Sequence, residues 1–179
     1  ELCRDIAQKF NNDFDAPDFL RVPEPLIQKE FSRIMSLKDG MKKMSKSDPS
    51  DLSRINLTDE KDQITNKIKK AKTDPLPMPS GSKNLSERPE AENLLGIYSS
   101  LLNQKLEKSI TDFEGKNFSE FKEKLSEILV EKISPISNEI KKLLGDPKYL
   151  DNILLEGSIQ ADIIASKKIK EIKKLVGFQ

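Results

Sequence analysis

The chain has 179 residues, of which 35% are hydrophobic and 34% charged, and 31 basic side chains against 30 acidic ones leave a formal net charge of +1. That length holds one ordinary domain or two small ones, and nearly cancelled charge with this apolar content describes a helix-prone folded chain rather than a disordered one. No apolar run approaches the roughly 18 residues that a membrane span needs, so no membrane role is expected. A single cysteine excludes a disulfide framework and a cysteine-rich zinc site, and fits a reducing compartment. The sequence contains no histidine, which removes Ser-His and Cys-His catalysis, imidazole metal ligands and imidazole proton shuttles.

Leu2, Ile6 and Phe10 recur at four-residue spacing and predict a helix over 1–14. Asp15-Ala16-Pro17 ends it, and Pro23 and Pro25 keep the next segment extended. Arg33-Ile34-Met35-Ser36-Leu37 reads as a buried strand end, followed by a polar loop from Lys38 to Asp51 and a short extended piece at Ile55 and Leu57. Thr58 or Asp59 is the expected N-cap of a helix running to about Lys72. Pro75, Pro77, Pro79 and Pro89, with Gly81 and several serines, make 73–89 a loop or linker. Everything after it reads as helix.

Phe118, Phe121, Leu125, Ile128 and Leu129 form the best apolar stripe of the chain. Ile136, Ile140, Leu143 and Leu144 continue the pattern beyond Ser134-Pro135, where a kink or a fresh helix is expected. Gly145 closes that segment and Asp146-Pro147 opens the last helix, whose expected buried stripe is Ile159, Ile163, Ile169, Ile172 and Leu175; Gly177 ends it. Tyr98 and Tyr149 read as packing residues and Cys3 as an incidental thiol, with no base arranged beside it. The fold class is mainly α, its second part a small helical bundle.

Lys43-Met44-Ser45-Lys46-Ser47 stands apart, preceded by Lys42 and followed by Asp48-Pro49. It offers ammonium groups and short hydroxyl donors on a mobile backbone, which is what a polyphosphate requires. Such a loop can tighten as charge builds on a leaving group and so stabilise a transition state. The plain alternative is a solvated lysine loop.

This string is similar to the second signature of class I aminoacyl-tRNA synthetases, and its surroundings resemble the tryptophanyl-tRNA synthetase family in its bacterial or mitochondrial form. The resembling segments are Glu1 to Ala7, Val22 to Glu24, Arg33 to Leu37, Lys46 to Pro49, the Lys-Ile-Lys-Lys-Ala run with Thr73-Asp74, Asn93 to Leu95, Phe113 to Lys116, Pro135-Ile136, the Gly157 region and Leu175 to Phe178. The resemblance implies the tail of a class I Rossmann-like nucleotide-binding fold over 1–57, carrying the signature, and a helical anticodon-binding part over 58–179. It implies that Lys43 and Lys46 stabilise the departing pyrophosphate, that Ser45 and Ser47 orient it, and that backbone groups of Ile34 and Met44 hold the adenine edge; by side chain alone, both would read as core. Lys42 is expected to tune the loop's charge. The implied reaction activates tryptophan with ATP, its Mg2+ carried by the nucleotide and no metal held by protein, and then charges tRNA(Trp). No protein nucleophile is required, because the tryptophan carboxylate attacks the α-phosphate.

The first class I signature contains histidine and is therefore not in these residues. The chain is expected to be the C-terminal half of a homodimeric enzyme, inactive alone and cytoplasmic, or in the mitochondrial matrix if organellar; it shows no secretory leader. Lys67, Lys69, Lys70 and Lys72 form one basic cluster, and Lys167, Lys168, Lys170, Lys173 and Lys174 another. Either could meet RNA phosphates or be a solvated face. The competing readings are a tyrosyl-type synthetase, a stand-alone helical tRNA-binding module and a helical protein-interaction domain.

Overall fold

The structure, a computed structural model, describes residues 1–26, 31–83 and 85–178. The elements run α1 (Leu2–Asp13), β1 (Met35–Ser36), β2 (Asp39–Lys43), α2 (Lys61–Lys69), α3 (Pro89–Leu101), α4 (Leu106–Phe113), α5 (Phe118–Leu144) and α6 (Pro147–Leu175). Short 3-10 turns sit at Asp51–Ser53 and Leu85–Glu87. The fold is mainly α, and none of its described helices is long and apolar enough to cross a membrane.

Two compact units result, one of residues 29–145 and the other of 1–28 with 146–179. They cut across the sequence division at residue 57. Residues 33–57 pack with α2, α3 and α5 because the hairpin's Leu37 is itself a core residue, 2% exposed.

The larger unit is built around the stripe predicted on α5. Phe121, Leu125 and Leu129 meet Ile64 and Ile68 of α2 and Leu94, Leu95 and Tyr98 of α3 in one apolar cluster. Phe121 lies edge-on to Phe113, ring centroids 4.8 Å apart, and Tyr98 stands edge-on to Phe113 at 5.0 Å. These are the geometries that aromatic quadrupoles favour. Tyr98 is buried as expected, whereas Tyr149 is half exposed.

Four expectations are corrected. The polar stretch from Lys38 begins as a strand: β2 pairs antiparallel with β1, Met35 opposite Lys43 and Ser36 opposite Asp39. All but Asp39 and Gly40 of β2 are exposed, so no in-out alternation marks the strand in the sequence. Helix α2 is capped at Glu60, one residue after Asp59 and two after Thr58; the Glu60 N–H donates to Gln63 Oε1 at 2.8 Å, and the helix ends at Lys69. Helix α5 continues through Pro135, so no fresh helix begins there. That proline is exposed, so water can bond the Glu131 carbonyl it leaves without an N–H. Helix α6 buries none of its residues, and Ile159, Ile163 and Ile169 are exposed.

In the smaller unit, the amide of Asn11 on α1 exchanges two 2.8 Å hydrogen bonds with the backbone of Leu20. The Phe19 ring then stacks beside Phe10 and receives the Lys168 ammonium 4.1 Å above its centre.

Phe121 is fully buried, so Phe121→Ala should lower the unfolding free energy by about 3–5 kcal/mol. Urea denaturation measures this, and a loss under about 1 kcal/mol would contradict the core described.

Candidate functional site

The hairpin delivers the lysine-serine string. Lys43 is the last residue of β2, and one step beyond it the Met44 N–H donates to the Ile34 carbonyl at 3.0 Å. The Met44 side chain packs against the core, which fixes the entry of the loop. The turn that follows is internally bonded. Ser45 Oγ and Ser47 Oγ share a 2.9 Å hydrogen bond, the Ser47 N–H donates to Ser45 Oγ at 3.3 Å, and the Asp48 N–H donates to the Ser45 carbonyl at 3.4 Å.

A cleft of about 480 Å³ opens beside this turn. Ile34, Lys43, Met44, Ser45 and Lys46 line one side and Arg54 to Leu57 another, with Ser32 and Arg33 completing it. Five of the six residues singled out from sequence are therefore together; Ser47 is not in the lining and instead holds Ser45. The lining carries four cations (Arg33, Lys43, Lys46 and Arg54) and no carboxylate. Lys43 and Lys46 are exposed, and among the described residues neither lies in an ion pair, whereas neighbouring Lys42 reaches Asp39 at 3.5 Å. The two ammonium groups left without an ion pair among the described residues, Lys43 and Lys46, with the hydroxyl donors beside them, suit a polyanion. Among the described residues no group of three His, Cys, Asp or Glu side chains is gathered to hold a metal ion.

Two contacts with α3 seat the hairpin. The Asn93 side chain accepts from the Met35 N–H at 2.8 Å and donates to the Met35 carbonyl at 2.9 Å, so one amide satisfies both backbone groups of a residue next to Ile34. At Gly40 a Cβ would stand 2.6 Å from the Pro89 carbonyl carbon, so only glycine lets the start of β2 rest on the start of α3. Beside it Lys72 pairs with Glu90 at 2.7 Å; that bond holds the Glu90 carboxyl below its ordinary range and the Lys72 ammonium above its own.

The loop's exit is tied by charge. Arg54 donates to the Asp48 carbonyl at 2.9 Å and pairs with Asp51 at 3.2 Å. Lys67 of α2, 2% exposed, reaches Asp59 at 2.6 Å and Asp51 at 2.7 Å. The hydrogen bond from Lys67 is the main cause that lowers the Asp51 pKa, with Asn56 and Arg54 adding to it. This corrects the reading of the first basic cluster: Lys67 is buried in ion pairs and Lys72 is paired, which leaves Lys69 and Lys70 of that group on the surface. In the second cluster Lys168 is engaged with Phe19 and Glu171, while Lys167, Lys170, Lys173 and Lys174 are exposed. Sequence reasoning gave no role to Arg54, took Asn93 only as part of a resembling segment, and missed the inward role of Lys67. Only the burial of Lys67 had a signal, its place one residue before Ile68 and three after Ile64 on the apolar face.

Lys67→Met leaves the buried Asp59 carboxylate unpaired and should cost about 3–5 kcal/mol in thermal or urea unfolding. Asp51→Asn tests the same knot by pH. The folded Asp51 carboxyl lies below its ordinary value of 3.8, so its stabilising effect is complete above that pH and fades as pH falls through the lower folded value. The gap in stability between wild type and Asp51→Asn should therefore close below pH 3.8, and a gap that widened there would contradict the pairing.

The family described as "tRNA synthetases class I (W and Y)" matches residues 1–133. The chain is 52% identical to a tryptophan–tRNA ligase of Caulobacter vibrioides, covering 99% of this chain and 52% of the relative. It is 50% identical to a tryptophan–tRNA ligase of Rickettsia felis, again over 99% of this chain and 53% of the relative. Among solved structures it is similar to a tryptophanyl-tRNA synthetase from Mycoplasma pneumoniae, with 28% identity and a TM-score of 0.79 over 98% of this chain and 52% of that one. The chain thus spans about half the length of the curated relatives it matches.

Proposed function

Because the chain belongs to the class I tRNA synthetases of the tryptophan and tyrosine group, we propose that it is a C-terminal portion of a tryptophan–tRNA ligase and carries the ATP-facing loop of that enzyme. Three facts support the portion and the amino acid: the matched relatives are tryptophan–tRNA ligases, the chain spans about half of them, and the histidine-bearing first signature is not among these residues. The observation that carries the reading is the cleft beside Lys43–Ser47, lined by four cations and no carboxylate.

The residues act as follows. In activation the tryptophan carboxylate oxygen attacks the α-phosphorus of ATP; a new O–P bond forms, and the bond to the bridging oxygen of the β-phosphate breaks. Negative charge collects on the leaving pyrophosphate, with Mg2+ arriving as part of the nucleotide. Lys43 and Lys46 place ammonium groups on that charge, and the Ser45 hydroxyl, held by Ser47, donates to it. Ile34 and Met44 form the edge against which adenine lies. Since the Met44 N–H and Ile34 carbonyl are bonded to each other, that edge is a fixed surface. Neither lysine extracts a proton, so both need only remain charged.

On this reading residues 1–57 close the catalytic fold and 58–179 form the anticodon-binding part, a functional division that differs from the two compact units. The remaining partners are tryptophan and tRNA(Trp), and the full-length enzyme is a homodimer of the cytoplasm, or of the mitochondrial matrix if organellar. Net charge of +1 gives no global attraction to RNA, so contacts with tRNA fall to local groups such as the exposed lysines of α6.

Tryptophan-dependent ATP–pyrophosphate exchange tests the proposal. The full-length protein should catalyse it, and Lys46→Ala should lower kcat by about 10²-fold with little change in tryptophan affinity. Unchanged kinetics would remove the role given to Lys46. The 179-residue chain alone should show no exchange, and measurable exchange from it would contradict its assignment as an incomplete enzyme.

A further inference from the structure

Arg54 lines the same cleft as Lys43 and Lys46, yet its guanidinium is already spoken for. It donates to the Asp48 carbonyl at 2.9 Å and the Ser50 carbonyl at 3.4 Å, donates to Asn56 Oδ1 at 3.2 Å, and pairs with Asp51. Asp48 is the residue that leaves the lysine-serine turn, so the first of these bonds lands on the loop's exit. Behind Arg54 stands a closed set of partners. Asp51 accepts from Lys67 and from Asn56 Nδ2, the Asn56 N–H donates to Asp59 at 2.8 Å, and Asp59 accepts from Lys67. Arg54 and Lys67 balance Asp51 and Asp59, so the knot is neutral and rigid, and Lys67 anchors it to α2 in the core.

We infer that Arg54 is a positioning residue for the signature loop: it fixes the Asp48 carbonyl so that Lys43 and Lys46 project into the cleft from a backbone held at both ends. The entry is held by the Met44 bond to Ile34, and the exit by Arg54. A loop pinned at both ends places its ammoniums before the charge appears, which favours the transition state over the bound nucleotide. A lysine at position 54 could supply charge but only one point of contact, whereas the planar fork reaches two carbonyls and two side chains.

The inference rests on the synthetase reading for its kinetic consequence but not for the tether itself, and two assays on the full-length protein separate them. Arg54→Met should lower kcat for pyrophosphate exchange about tenfold, leave the KM for tryptophan unchanged and shift Tm by less than about 3 °C. Limited trypsin digestion, read by mass spectrometry, should cleave after Lys46 about tenfold faster than in wild type. Arg54→Lys should recover only part of both. Full recovery by lysine would mean that Arg54 acts as a bare charge, and unchanged cleavage in Arg54→Met would mean that the exit is not tethered; either result overturns the inference. If the wild-type protein shows no exchange at all, the synthetase reading falls, and the cleavage rates alone still decide for or against the tether.

Discussion

The Asn93 side chain closes two hydrogen bonds on the backbone of Met35, and the candidate site depends on that clasp. A two-stranded hairpin with so few paired residues is marginal in water by itself. Here it borrows rigidity from α3, which is buried along Leu94, Leu95 and Tyr98 and so belongs to the most stable part of the larger unit. Gly40 allows the start of β2 to rest on Pro89, and Gly96 does the same for the Phe31 ring, which a Cβ would overlap. The Leu37 N–H donates to the Ser53 carbonyl and its own carbonyl accepts from Lys72, so the hairpin is also stitched to the segments after the loop. Rigidity thus passes from an apolar core, through an amide and a glycine contact, to the base of a loop that carries charge.

Charge is distributed along the same line. Deep in the fold the cations are answered: Lys67 by Asp51 and Asp59, Arg88 by Asp74 at 2.7 Å. Burial opposes ionisation of Asp74, and the fork from Arg88 with neighbouring backbone donors more than offsets it, so its carboxyl stays below the ordinary range. At the cleft the pattern stops. Lys43 and Lys46 stand exposed without a carboxylate partner among the described residues, on the side where ATP would lie under the proposed reading. A buried unpaired charge costs several kcal/mol, but an exposed one costs little, so the fold can leave these two cations available to a ligand.

How much of this was legible depended on whether a signal was local. The α5 stripe was readable because Phe121, Leu125 and Leu129 bury on the face that their spacing defines. The string at Lys43 was readable because five consecutive residues carry it. β2 was not, since a short edge strand with three exposed residues in a row has no periodicity to detect. Pro135 reads locally as a kink or a fresh start; packing of Ile133 and Ser137 on either side keeps the helix continuous across it. Ile159 and Ile163 form an apolar stripe by spacing, but spacing reveals which face seeks cover and nothing about what covers it. The roles of Asn93 and Arg54 were invisible for another reason. Their partners, Met35 and Asp48, are backbone groups brought close only by the fold, and a backbone carbonyl leaves no letter in a sequence.

The central claim is that Lys43–Ser47 is the part of this chain that meets the phosphates of ATP. Amide hydrogen exchange of the full-length protein, followed by mass spectrometry with and without ATP and tryptophan, addresses it without any mutation. The account predicts slowed exchange at the amides of 44–48 when both are present, with α5 and α6 unaffected. Exchange at 44–48 that nucleotide leaves unchanged, in a protein shown to bind ATP, would contradict it.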